Sequence, residues 1–234
     1  MTFDQAMVVH MGLGTVGLGL FWAGLGARKG GPRHRVSGRA FFVVLLGVAV
    51  SVAPLIFLRP VPFDPGQVVQ FVYLSLCLGT VTTVAWTAIR WKADVAAFRG
   101  WHFRVLGPLL LGLGAVVLAA GTAKGDPVAA VLSWVGLAYG AAMIHFAWTR
   151  ALLQPRWWLT WHLHAVCGLF TAVHGTLLFV AWRRFVDVDA TRADAAAFHA
   201  GVLLVALALR AWLGRRHGVP WTFTQPGARV VPQA

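Results

Sequence analysis

Long apolar runs separated by short polar connections set the pattern of this chain. Seven runs stand out, at about 5–27, 39–58, 68–91, 102–122, 128–152, 157–182 and 195–213. Each is too long and too continuous for a soluble strand, and each predicts a helix. In lipid a helix is the fold that satisfies its own backbone polar groups within one segment. The sixth run shows the pattern best. It holds no Asp, Glu, Lys or Arg, and it begins and ends with tryptophan. About 20 residues, rising about 1.5 Å each, cross roughly 30 Å of hydrocarbon. Tryptophan favours the headgroup level at both ends of such a segment.

The connections alternate in charge. The first carries Arg28, Lys29, Arg33, Arg35 and Arg39, and the third Arg90, Lys92, Arg99 and Arg104 against Asp94. The fifth carries Arg150 and Arg156, and the end of the chain Arg210, Arg215, Arg216 and Arg229. The opposite set has only Arg59, Lys124, Arg183, Arg184 and Arg192, and it holds Asp4, Asp64, Asp126, Asp187, Asp189 and Asp194. Basic loops stay in the cytoplasm, so the N-terminus is expected outside and the C-terminus inside. One helix more or fewer breaks the alternation. Turn residues agree, with an outer turn at Arg59-Pro60-Val61-Pro62-Phe63-Asp64-Pro65-Gly66 and a tighter one at Gly125-Asp126-Pro127. The expectation is an all-α, polytopic membrane helix bundle of about seven helices over residues 1–216. A polar, mobile cytoplasmic tail is expected at 217–234.

Composition points the same way. The chain is 59% hydrophobic and 12% charged, with a mean hydropathy of +0.72. A soluble domain carries about twice that charge. The net charge of +13 is explained by the helix-end clusters, which argue against nucleic acid as a partner and for the lipid bilayer of the cell inner membrane. The first ten residues lack a basic stretch and include Asp4, so the first run is expected to be a retained helix and not a cleaved signal. Cys77 and Cys167 lie inside apolar runs without metal-ligand spacing. Gly12-x-Gly14-x-x-Gly17 matches part of a dinucleotide fingerprint, but no strand precedes it. Its glycines, with Gly107, Gly112, Gly114 and Gly121 of the fourth run, are expected to let helices approach closely.

Three stretches resemble an uncharacterised bacterial multi-pass family, domain of unknown function 2306. Lys29-Gly30…His34-Arg35-x-x-Gly38-Arg39 looks like that family's connection into its second helix. Arg90-x-Lys92-x-Asp94-x-x-Ala97-x-x-x-Trp101 resembles its basic hairpin, and His162-x-x-x-x-x-Gly168-x-x-x-Ala172 its late histidine helix. Phe98 stands where the family tends to have His, His102 where Met is usual, and His164 and His174 are extra. The resemblance implies a polytopic bundle and no defined chemistry.

Intramembrane histidines are functional candidates because imidazole in hydrocarbon needs a partner. His145 and His162 are each about five residues inside a cytoplasmic helix end, roughly 7 Å deep. The short loop between their helices predicts antiparallel neighbours with the two rings at one level. His102 enters near that level. His174 and His199, with His10, are expected toward the outside. Two tiers of imidazole suit two haem b groups with bis-histidine ligation, and the design resembles the membrane b-type cytochromes. The inner iron ligands are then His145 and His162, with His102 in reserve, and the outer ones His174 and His199, with His10 in reserve. A quinone or another redox partner follows from that reading.

Helical azimuth complicates it. His162 and His164 point to opposite sides of a helix, and His162 and His174 are not aligned. A satisfied, hydrogen-bonded histidine is the competing reading. No carboxylate falls inside a run, and no hydrolase, CxxC or phosphate-loop motif is present. Ser75, Thr80, Thr82, Thr83 and Thr87 either line a path or bond to their own helix. The alternative function is a non-enzymatic accessory subunit of a membrane complex, or a small-molecule carrier.

Overall fold

The computed structural model describes residues 1–60 and 65–225. The middle of the expected outer turn, 61–64, and the last nine residues with Arg229 lie outside the described residues. The rest is helical: α1 Phe3–Gly26, α2 Pro32–Phe57, α3 Pro65–Arg90, α4 Val95–Phe98, α5 Trp101–Ala123, α6 Pro127–Leu132, α7 Trp134–Trp148, α8 Trp157–Phe185 and α9 Arg192–His217. With α4 joined to α5 and α6 to α7, the described residues form seven spans long and apolar enough to cross a membrane. Large apolar side chains such as Val8, Val50, Val116 and Leu204 point outward, as lipid contact requires. The chain is an all-α, multi-pass membrane bundle.

Local chemistry sets the helix ends. At the start of α1, Gln5 N donates to Thr2 Oγ1 (3.3 Å) and Thr2 N donates to Gln5 Oε1 (2.9 Å). Thr191 and Asp194 make the same reciprocal box at the start of α9, each satisfying donors that have no helical partner. Asp94 caps α4 through Ala97 N (2.9 Å). Pro32 and Pro127 open α2 and α6, where a missing N–H costs nothing.

The fifth run is not one helix. It breaks at Ser133, whose hydroxyl donates to Ala130 O (2.7 Å). Tyr73 of α3 repairs the break. Its hydroxyl donates to Ser133 O (2.9 Å) and accepts from Gly136 N (2.9 Å). The run also ends at Trp148, earlier than expected, because Leu153 pairs with Thr224 in an isolated antiparallel bridge.

The path of packing runs α1 to α2 to α3 to α8 to α9, with α5 and α7 paired beside α3. The expectation that the fifth and sixth spans are close antiparallel neighbours is corrected here. Backbone approach draws α7 onto α5 instead. A Cβ at Gly136 falls 2.5 Å from Leu110 O, and one at Gly140 falls 2.5 Å from Leu111 N. Between α7 and α8 the contact is made by side chains: Tyr139 Oη donates to His164 O (2.6 Å), and Phe146 meets Trp157 and Trp161. Of the glycines expected to mediate approach, Gly14, Gly17, Gly107, Gly114 and Gly121 do so, while Gly12 and Gly112 face open space.

The described part of the tail also departs from expectation. α9 ends at Gly218 in a left-handed conformation (φ 60°), and residues 218–225 return to the bundle. Gln154 N donates to Phe223 O and Gln225 N to Leu152 O, both at 2.9 Å. Phe223 stacks on Trp161, centroids 5.4 Å apart. Burial of that ring outweighs the mobility that polar neighbours suggested.

The glycine contacts generate a test. Gly140→Val places a methyl group against the Leu111 backbone, which cannot rotate away, and overpacking costs about 1–3 kcal/mol. Its thermal midpoint in detergent is expected to fall by several degrees, while Gly112→Val leaves the midpoint unchanged. Equal midpoints for both variants contradict this packing.

Candidate functional site

Each candidate histidine rests on a different neighbour. His10 Nδ1 meets Ser51 Oγ (2.8 Å), joining α1 to α2. His102 is buried among Trp91, Phe98 and Phe103, and its Nε2 has no partner among the described residues. His145 is exposed, its ring 5.4 Å from that of Phe223. His162 turns to α3, with Nδ1 3.0 Å from Ala85 O. His164 points the other way, with Nε2 2.9 Å from Trp221 O. A backbone carbonyl only accepts, so these ring nitrogens are the donors. His145 and His162 therefore face different elements and not each other.

His174 lies just past the middle of α8, three residues beyond Thr171 toward its C-terminal end. Both of its nitrogens are committed. Nδ1 donates to Phe170 O (2.9 Å), and Nε2 accepts from Trp22 Nε1 (3.0 Å). Phe170 stacks on the ring at 3.8 Å. His199 packs on Gly175, where a Cβ would strike its ring. The two residues share a level, but His174 has no lone pair left while the Trp22 bond holds. No three His, Cys, Asp or Glu side chains gather as a metal site among the described residues. Ligation of haem iron finds its best fit in His162, where the Ala85 carbonyl orients the ring and leaves Nε2 open.

The polar run on α3 divides. Thr83 and Thr87 bond back to Gly79 O (2.8 Å) and Thr83 O (2.7 Å). Ser75 Oγ and Thr82 Oγ1 are buried and have no partner among the described residues.

The feature that sequence reasoning missed is Arg210. It stood among the basic residues at the chain end, yet it lies seven residues before the end of α9, about 10 Å deep at about 1.5 Å per residue. Only 1% of it is exposed. Nη2 donates to Pro220 O (2.6 Å), and the guanidinium lies 4.7 Å over the Trp221 ring. Nε and Nη1 have no partner among the described residues. Tyr139 and Cys167 are its electrostatic neighbours, and Arg210 in turn acts on His164. Gly214, one turn on, is required, since a side chain there would meet Nη1. The available signal was position: Arg210 falls inside the seventh apolar run, unlike Arg215 and Arg216.

More cations surround this end. Arg156 donates to His217 O (3.2 Å) and Gly218 O (3.0 Å). Lys29 donates to Gly24 O (3.1 Å) and Leu25 O (2.5 Å). Partial burial, and then the nearby Arg216, hold its ammonium below the usual lysine range. His34 and Lys29 both interact electrostatically with His162. The one ion pair among the described residues, Arg192 with Asp126, is at the opposite end of the bundle.

No protein-family model, curated protein or solved structure matches this chain.

A buried guanidinium without a carboxylate is a liability to folding. Each unsatisfied buried donor costs about 1–3 kcal/mol, and more when charged. Arg210→Met keeps the length and removes the charge, so its thermal midpoint is expected to equal or exceed that of the unaltered chain. A drop of several degrees means that Arg210 is a structural requirement.

Proposed function

We propose that the protein is a non-enzymatic small-molecule carrier of the cell inner membrane, with its N-terminus outside and its C-terminus cytoplasmic. It takes a small anion at its basic, cytoplasmic end. The observation that carries this reading is Arg210, buried, without a carboxylate, and with two of its nitrogens, Nε and Nη1, unpartnered among the described residues. A guanidinium offers donors in a planar fork that suits carboxylate and phosphate oxygens. The surrounding Lys29, Arg156, Arg215 and Arg216 make that end predominantly basic, with Asp94 the one carboxylate among the described residues there, which raises the local concentration of anions.

Thermal midpoints of the purified protein test the anion reading. At constant ionic strength, phosphate and succinate are expected to raise the midpoint, and choline is not. Ligand at about 100 times its Kd adds about 2.7 kcal/mol. The rise is expected to vanish in Arg210→Met. Uptake into vesicles then separates a carrier from an accessory subunit, which would instead co-purify with a fixed partner. No anion response at any concentration refutes the reading.

A second reading, haem b binding for electron transfer, draws on His162 alone. Its Nδ1–Ala85 bond leaves Nε2 as an acceptor, and Lys29 and His34 act electrostatically on the same ring. It predicts a Soret band after haem-replete expression, abolished in His162→Ala. Colourless protein under those conditions rules it out.

A further inference from the structure

The guanidinium of Arg210 and the imidazole of His164 are not empty-handed. Each gives one donor to the same stretch of chain, Arg210 Nη2 to Pro220 O and His164 Nε2 to Trp221 O. Two adjacent carbonyl oxygens thus meet a guanidinium donor and an imidazole N–H. At 2.6 Å the Arg210 bond is as short as a charge-assisted one. A peptide carbonyl, however, carries only a partial negative charge, and it leaves Nε and Nη1 of Arg210 unused.

We propose that the Pro220 and Trp221 carbonyls stand in for the oxygens of an oxyanion, and that residues 218–225 are a strap displaced when phosphate or a carboxylate takes Arg210 and His164. This rests on the anion reading above and adds the ligand's chemistry and the way in. An oxyanion gathers its acceptor oxygens on one group that can also reach Nε and Nη1, and it brings full negative charge to a site with none.

The strap is built to leave. It pivots at Gly218, whose left-handed backbone suits glycine best. It is held to the 152–154 segment by two backbone bonds, with Gln154 Nε2 to Thr224 O (3.2 Å) and Gln225 Nε2 to Leu153 O (3.1 Å) beside them. Phe223 is its apolar plug, whereas Trp221 is about half exposed. On its far side lies an open groove of about 400 Å³ lined by Gly214, Arg215, Pro220 and Trp221. Pro220 and Trp221 are therefore the wall between that groove and Arg210. Lifting them exposes Arg210 and His164, whose donors they hold. Arg156, bonded to the His217 and Gly218 carbonyls, stands at the pivot where an arriving anion would first be felt.

A reversible lock tests the proposal. Leu153 and Thr224 are bridge partners flanked on both sides by the ladder bonds, which is the closer pair of an antiparallel ladder and suits a disulfide. Leu153→Cys with Thr224→Cys, oxidised, holds the strap shut. Reduction frees it without changing the sequence. The protein is placed in nanodiscs of phosphatidylcholine with inorganic phosphate, and separately in nanodiscs containing phosphatidylglycerol without phosphate. The readouts are the thermal midpoint and amide exchange over 218–225. The expected result is stabilisation with faster strap exchange in the reduced protein and loss of both on oxidation. A response to free phosphate in phosphatidylcholine assigns the site to a soluble anion, and a response only in phosphatidylglycerol assigns it to a lipid headgroup. Equal stabilisation of locked and reduced protein overturns the strap and leaves the anion reading intact. No response of the reduced protein in either disc overturns both.

Discussion

Lipid offers a polar group nothing, and that constraint arranges this bundle. A backbone N–H or C=O left unpaired in hydrocarbon costs several kcal/mol. The break between α6 and α7 shows how it is met. Ser133 and Gly136 are buried, and at the interruption Gly136 N loses its helical bond to Leu132 O, while Ser133 O still accepts from Leu137 N. Tyr73 makes up the loss from α3, through one hydroxyl that accepts from Gly136 N and reaches the Leu132 and Ser133 carbonyls. The same hydroxyl ties the α5–α7 pair to the rest of the bundle, so local repair and global packing are one contact.

The side chains obey the same rule. His10, His34, His162, His164 and His174 each place a ring nitrogen on a hydroxyl or a backbone carbonyl of the bundle. Most of these contacts join two elements, so imidazole works here as a fastener between rods. Against that background Arg210 stands apart. It carries full charge, is almost wholly buried, and uses one nitrogen of three. A bundle selected for stability alone would place an apolar side chain there, since buried ions seldom repay their desolvation. The contrast between these five bonded histidines and an arginine with two idle nitrogens makes Arg210 the functional centre of the account.

The seven spans were legible because membrane thickness and the length of an apolar run are coupled directly. Most boundaries fall within a few residues of the expected ones. The break at Ser133 was not legible, because hydropathy does not change across it and no Pro or Gly marks it. The pairing of α7 with α5 was hidden for another reason. Loop length favoured α8 as the partner, while the decisive term was the absence of side chains at Gly136 and Gly140 facing the α5 backbone. Positions along the helix were legible: His162 lies near the start of α8, and His174 just past its middle toward the other end. Which neighbour each ring meets depends on rotation about the helix axis, which spacing alone left open. Arg210 was masked by its company, since one more arginine near a basic terminus reads as a solvated charge. Phe223 was masked likewise, a single aromatic in a polar stretch that turns out to be the plug of a folded-back strap.

The central claim, that Arg210 is sealed inside the basic end, is tested most directly by side-chain nitrogen NMR of arginine Nε–H exchange in nanodiscs. Assignment comes from the signal lost in Arg210→Met. The account predicts that Arg210 Nε–H exchanges with water far more slowly than those of Arg33 and Arg35, which are exposed on the first turn of α2. Exchange of Arg210 at their rate would contradict it.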